Sequence, residues 1–336
     1  MIRVITALVV ALTALAPGSP VRADGTSPPA SKDVPRKPAG TTGNGSWAVG
    51  PATNSKTLTP RLHFTLEGRA GDVVRDTVRI WNLTGEKMEF EVYGADGYNT
   101  ARDGAFALRG EKEPQKGIGL WTRVGSRDVS VPAGRAVDVP FIVSVPKNAT
   151  PGDHIGGVVV AGKEVEAVKK AGGTTLGLRR AVGARIYLRL EGPLVPGAKV
   201  EGLRVENTEP RLPWGGPVGT VIRYRIANVG NVRLAPTAQI RATGLFGRVL
   251  RDFPERAMPE LLPGEEVEVE LEWPGAPPAD AVKVTVELKT RAGLQSVART
   301  GYTSLPWQTL VALLALVIAA AVALRTHRHL TARRKA

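Results

Sequence analysis

Long stretches of strict two-residue alternation limit most tightly what this chain can fold into. Val267, Val269, Leu271 and Trp273 alternate with Glu266, Glu268, Glu270 and Glu272. Val282, Val284, Val286 and Leu288 repeat the pattern. So do Met88, Phe90 and Val92 against Lys87, Glu89, Glu91 and Tyr93. Neighbouring side chains of a strand point to opposite faces, so each run reads as a half-buried strand. No segment between residues 47 and 300 has a long period of 3.6. The 38 Gly and 26 Pro supply the turns. The predicted fold class is all-β: two immunoglobulin-like β-sandwich domains in tandem plus one C-terminal transmembrane helix. The sandwiches are expected at residues 46–192 and 197–302, with Gly192-Pro-Leu-Val-Pro-Gly197 between them.

The two ends read as targeting segments. Arg3 precedes an apolar run from Val4 to Leu15, and Val21-Arg22-Ala23 offers a small-residue cleavage site. Residues 1–23 therefore read as a signal peptide. Residues 24–45, rich in Pro, Ser, Thr, Gly and Lys, read as a disordered linker. Residues 306–324 read as a transmembrane helix, with Trp307 at the interface and a basic cytoplasmic tail at 325–336. The expected location is the cell membrane, crossed once, with the N-terminal domains outside. Leu305-Pro306-Trp307-Gln308-Thr309 departs from the Leu-Pro-x-Thr-Gly sortase signal, because its Thr is one position late and no Gly follows.

The formal charge of +14 is concentrated partly in these ends. The middle of the chain is mildly basic, which suits an anionic cell-wall polymer as well as plain solubility. No basic block is interleaved with aromatics, so nucleic acid is not an expected partner. Cysteine is absent, which rules out a disulfide framework.

Residues 140–161 read as strand, turn, strand. Phe141, Val143 and Val145 alternate with Ile142 and Ser144, and Pro151-Gly152 centres the turn. The run from Ile155 to Ala161 is apolar enough for burial on both faces, and Gly156-Gly157 implies a bulge or a close backbone approach. Residues 95–113 read as a polar loop region, and 162–177 as a mobile loop. The halves echo each other: Gly71 to Asn82 and Gly219 to Asn228 both end in Arg-Ile-x-Asn. Val131-Pro-Ala-Gly and Leu262-Pro-Gly both lead into alternating strands.

Nothing in this pattern assembles a catalytic centre. His327 and His329 fall in the tail, and His63 and His154 alone make neither a triad nor a metal site. The expectation is no catalytic residue, no metal and no cofactor, with a cell-wall hydrolase as a remote alternative. The candidate ligand-binding residues are Tyr93, Asp96, Tyr98, Arg102 and Trp121, since aromatic faces stack on sugar rings and polar neighbours fix them. Pro151, Gly152, Asp153, His154, Gly156 and Gly157 read as framework.

Several segments together resemble a known family: Gly71-Asp-Val-Val-Arg-Asp-Thr-Val-Arg-Ile-Trp-Asn82, Val92-Tyr93 to Asp96, Asp103-Gly-Ala-Phe106, Val131-Pro-Ala-Gly134 and Val145 to Gly157. In order and spacing they resemble the peptidoglycan-binding domain of WxL-interacting proteins, first described as a domain of unknown function (DUF916). The Arg-, Ala-, Gly- and Val-rich composition fits an actinobacterial-type member. The resemblance implies attachment to peptidoglycan or another cell-wall polymer, and a surface-protein partner. The alternative is a structural adaptor that docks such a partner through its sandwiches, by strand addition at a sheet edge.

Overall fold

The structure is a computed structural model that describes residues 42–53, 61–164, 167–171, 174–207, 218–277, 280–290, 293–304 and 307–333. The expected signal peptide and linker residues 24–41 lie outside the described residues, as do residues 305–306. The last linker residues depart from the expectation. Thr42 and Gly43 form a short strand, held by a turn in which Asn44 Oδ1 accepts the N–H groups of Ser46 and Trp47, both at 3.0 Å.

The described residues of the first half form thirteen strands in chain order: β1 (Thr42–Gly43), β2 (Trp47–Pro51), β3 (Phe64–Gly68), β4 (Val73–Asn82), β5 (Met88–Asn99), β6 (Phe106–Leu108), β7 (Thr122–Val124), β8 (Asp128–Val131), β9 (Ala136–Ser144), β10 (Gly152–Gly162), β11 (Ala167–Ala171), β12 (Thr174–Leu178) and β13 (Ala181–Leu190). One helical turn, α1 (Ile118–Trp121), precedes β7. One sheet runs β1-β2-β4-β9-β7. The other runs β3-β13-β10-β5-β6, with β8 also on β5. The second half contributes β14 (Ala198–Asn207), β15 (Val218–Asn228), β16 (Thr237–Thr243), β17 (Val249–Asp252), β18 (Arg256–Ala257), β19 (Glu266–Ala276), β20 (Asp280–Lys289) and β21 (Gln295–Ser304). Its sheets run β14-β15-β19 and β17-β16-β20-β21, with β18 also on β16. Helix α2 (Trp307–Arg333) ends the described chain.

Each half buries its own apolar cluster. Phe64, Ile80, Phe90, Phe141, Val158, Val160 and Ile186 belong to the first, and Ile222, Tyr224, Ile226, Trp273, Val284 and Val286 to the second. These are the alternating positions of the sequence, with Glu266, Glu268, Glu270 and Glu272 on the opposite, solvent-facing side of β19. The all-β class is therefore what the chain adopts.

Three further sequence expectations are revised and one is narrowed. First, β5 continues to Asn99 through the predicted loop, because Ala95 and Asp96 pair with Gly157 and Gly156 of β10. Second, β11 and β12 pair antiparallel where a mobile loop was predicted. Third, Gly156-Gly157 makes no bulge, since the register of β10 against β5 and β13 is unbroken. Of the two readings the close backbone approach holds: a Cβ on Gly156 would lie 2.5 Å from the Ala95 carbonyl oxygen. Fourth, the single membrane pass and the location built on it are not upheld, because among the described residues no helix is long and apolar enough to cross a membrane. The uninterrupted apolar run, Leu310 to Leu324, is fifteen residues. At ~1.5 Å per residue it covers about 22 Å of a hydrocarbon core about 30 Å thick.

The echo between the halves is a shared hydrogen-bond device. Asn82 and Asn228, the last residues of β4 and β15, are both fully buried. The Asn82 amide donates to the carbonyls of Glu86 (2.6 Å) and Val131 (3.0 Å), while its oxygen accepts the N–H of Thr84 (2.9 Å). The Asn228 amide donates to the carbonyls of Val232 (2.8 Å) and Leu261 (3.0 Å), and its oxygen accepts the N–H of Gly230 (3.0 Å). In each half one side chain ties the turn after its strand to the Pro-Gly turn that starts another strand. Asn228→Ala should therefore lower stability by about 2–3 kcal/mol, because it strands buried backbone groups. Glu266→Ala on the exposed face should stay within about 0.5 kcal/mol. Urea unfolding of the two variants checks this.

Candidate functional site

One cavity near the predicted residues is a trough on the outer face of the first half's larger sheet, about 730 Å³ in volume. Three glycines make room for it. A Cβ on Gly97 would lie 2.8 Å from the Phe106 ring, and one on Gly157 would lie 2.8 Å from Leu108. Gly183 faces the same Leu108 side chain more closely still. With no side chains at these positions, β6 lies down on the sheet and its Phe106 and Leu108 become part of the wall. Leu62, His63, Tyr93, Arg109 and Arg185 line the remainder.

Arginine and aromatic side chains pack together around the trough. The Arg185 guanidinium lies over the Phe106 ring at 4.2 Å, and Arg109 over the Tyr98 ring at 5.2 Å. His63 meets Tyr187 edge-on at 4.8 Å. Burial, then the charges of Arg233 and Arg185, push the His63 ring below the usual imidazole range against a smaller pull from Glu260, which favours its neutral form. Burial also raises the Tyr93 phenol.

The five predicted residues do not converge. Tyr93 lines the trough, and Tyr98 borders it through Arg109. Asp96 is buried, and its carboxylate accepts the N–H groups of Lys116, Gly117 (3.0 Å) and Gly119 (2.7 Å), which positions α1. Trp121 is in the core and packs on His154 at 4.8 Å. Arg102 lines a separate cavity of about 550 Å³ with Arg204, Arg223, Arg225, Glu268 and Glu270. Phe106, Arg109 and Arg185 line the trough without being among the predicted binding residues. Arg185 was legible in the sequence, because Ile186, Leu188 and Leu190 face inward and leave Arg185 on the outer face of β13. Phe106 and Arg109 become wall residues only because β6 folds back over glycines far away in sequence.

The turn residues 151–154 lie where the two halves meet. Gly152 has φ +116°, a conformation side chains resist, and a Cβ there would come within 2.2 Å of the Asn231 carbonyl oxygen. Asp153 holds Arg189 with two hydrogen bonds (2.7 and 3.0 Å) and accepts the Arg233 N–H from the second half (3.0 Å). His154 Nε2 bonds the Thr150 carbonyl at 2.8 Å. Asn99 adds a second tie, donating to the Glu260 carbonyl and accepting the Leu262 N–H, both at 2.8 Å. Pro151, Asp153 and His154 face a cleft of about 440 Å³, shared with Asn231 and Glu265. Among the described residues, no group of His, Cys, Asp and Glu has the arrangement of a metal site.

No protein-family model matches the chain, and no curated protein aligns with it significantly. Among solved structures, it is similar to the chaperone–tip adhesion subunit pre-assembly complex from archaic chaperone-usher pili of Acinetobacter baumannii. That match has 9% identity and a TM-score of 0.35, and covers 70% of this chain and 94% of the other. A Salmonella enterica pilin–chaperone complex matches at 11% identity and TM-score 0.31, covering 78% of this chain and 98% of the other. A Pseudomonas aeruginosa chaperone matches at 11% identity and TM-score 0.30, covering 71% and 97%. At such TM-scores no architecture or role is inherited from them.

Asp153 gives this region a defined response to acid. Burial opposes its charge, but the Arg189 guanidinium, the Arg233 N–H and both arginine charges outweigh it and hold the carboxyl below its usual range. Its contribution to stability is complete above the unfolded value of about 3.9 and is lost as pH falls through the lower folded value. Asp153→Asn should cost about 1–3 kcal/mol at neutral pH. The gap from wild type should narrow as pH falls from about 3.9 through that folded value, as read by denaturant unfolding across pH.

Proposed function

We propose that this chain is a binding protein that holds a cell-wall glycan, peptidoglycan or a polymer attached to it, in the trough formed by Tyr93, Phe106, Arg109 and Arg185. The observation that supports this reading is the trough itself. It is open, lies on a rigid sheet, and sets aromatic faces beside guanidinium donors. Sugar rings present one apolar face and a rim of hydroxyls, which stacking and hydrogen bonding recognise together. The volume lies within the usual range for sites taking ligands of a few rings. The resemblance of residues 46–192 to the peptidoglycan-binding domain of WxL-interacting proteins is compatible with the same reading. A surface-protein partner for the second half belongs to the proposal too.

Retention of the full chain on purified sacculi tests the reading. Wild type should sediment with sacculi. Tyr93→Ala and Phe106→Ala should each weaken retention by about tenfold, about 1.4 kcal/mol. Arg102→Ala, which alters the separate cavity, should not. Equal retention of all four proteins would remove the trough from the account, and no retention of wild type would remove the glycan.

A further inference from the structure

The trough has a charge asymmetry that a purely neutral glycan does not need. Arg109, Arg185 and His63 are among its lining residues, and the described residues lining it include no Asp or Glu. Burial and the nearby arginines disfavour charge on His63, and the two guanidinium groups carry the charge of the wall.

The neighbouring carboxylates are largely occupied elsewhere. Glu260 accepts the Tyr187 hydroxyl at 3.1 Å and meets Arg233 at 3.4 Å. Arg233 in turn lies over the Tyr187 ring at 4.1 Å. Glu113 reaches Arg109 only at 3.7 Å, between two well-exposed side chains, and such a pair holds its partners weakly. Arg185 has no carboxylate partner among the described residues. Its guanidinium donates instead to the Tyr187 hydroxyl, at 3.4 Å. The Phe106 ring packs against its guanidinium and limits its motion. A guanidinium fixed by stacking keeps its edge donors free, and that fork matches two oxygens of one anionic group.

We propose that the group recognised at this site is an anionic oxygen group on the glycan, a carboxylate or a phosphodiester, bound by Arg185 with Arg109 as its second cation. This rests on the reading that the trough takes a cell-wall glycan. Carboxylates occur on the stem peptides of peptidoglycan and phosphodiesters on polymers linked to it. The two sources share the chemistry that Arg185 reads.

The test uses the full chain and three preparations of sacculi: untreated, stripped of phosphodiester-linked polymer with hydrofluoric acid, and amidated at carboxylates with a carbodiimide. Wild type should lose about tenfold or more in retention on one of the treated preparations, and the preparation affected names the source. Arg185→Gln should show a similar loss on untreated sacculi and little further loss after treatment. Arg185→Lys, which keeps the charge without the fork, should fall between them. Thermal unfolding of both variants alongside wild type separates lost binding from lost fold, since Arg185 is on the surface. Wild-type retention unchanged by both treatments, or Arg185→Gln retained as well as wild type, would overturn the anionic specificity while leaving glycan binding in place. Absence of wild-type retention on untreated sacculi would overturn both.

Discussion

The first half is organised by a strand that is closed over on both faces. β10 lies between β13 and β5, and its residues from Ile155 to Gly162 are all buried. Val158 and Val160 enter the core. On the outer face, Gly157 and Val159 lie beneath β6 and the trough. A strand in this position cannot place a large side chain where β6 crosses it, and Gly157 and Gly183 meet that requirement. Remove the space they leave and Leu108 has nowhere to sit, Phe106 loses its place over Gly97, and Arg185 loses the ring that fixes it. The binding surface thus depends on an absence of side chains in the sheet below it.

The same strand begins at the meeting of the two halves. Asp153 is the second residue of β10, and through Arg189 and the Arg233 N–H it couples the strand's first turn to the second half. Asn99, the last residue of β5, does the same one strand away. These contacts are polar and well satisfied, and a junction of this kind resists rotation because each shift breaks several directional bonds at once. Tyr187 links the junction to the trough: it touches His63 on one side and Glu260 and Arg233 on the other.

Much of this was legible in the sequence, for reasons that lie in particular residues. Alternation identified β5, β19 and β20 because one face of each is wet, so polarity marks it. The echo between Arg-Ile-Trp-Asn82 and Arg-Ile-Ala-Asn228 was visible as well, and its physical content is the pair of buried asparagine clamps. Other features were hidden. Asp96 and Trp121 have residue types found in sugar sites, but each satisfies a need inside the protein: Asp96 the open N–H groups before α1, and Trp121 the core beside His154. Composition cannot separate those uses from exposure. The continuation of β5 to Asn99 was hidden because its polar residues bond to groups well removed in sequence, Asp96 to the N–H groups of Lys116 to Gly119 and Asn99 to Glu260 and Leu262.

The trough illustrates the limit most clearly. Its residues come from β5, β6, β10, β13 and the segment before β3, and no local pattern joins them. Their convergence follows from register: Gly157 faces Arg185 and Val159 faces Gly183, while on the other side Gly157 faces Ala95 and Val159 faces Tyr93. That register is fixed in turn by the apolar residues on the inner face, because a slip of one residue would turn Val158 and Val160 out of the core. The cost of burying those valines correctly therefore determines where Tyr93 and Arg185 stand on the far side. A surface built this way is ordered before any ligand arrives, and a guanidinium already stacked on Phe106 loses little further freedom when it binds.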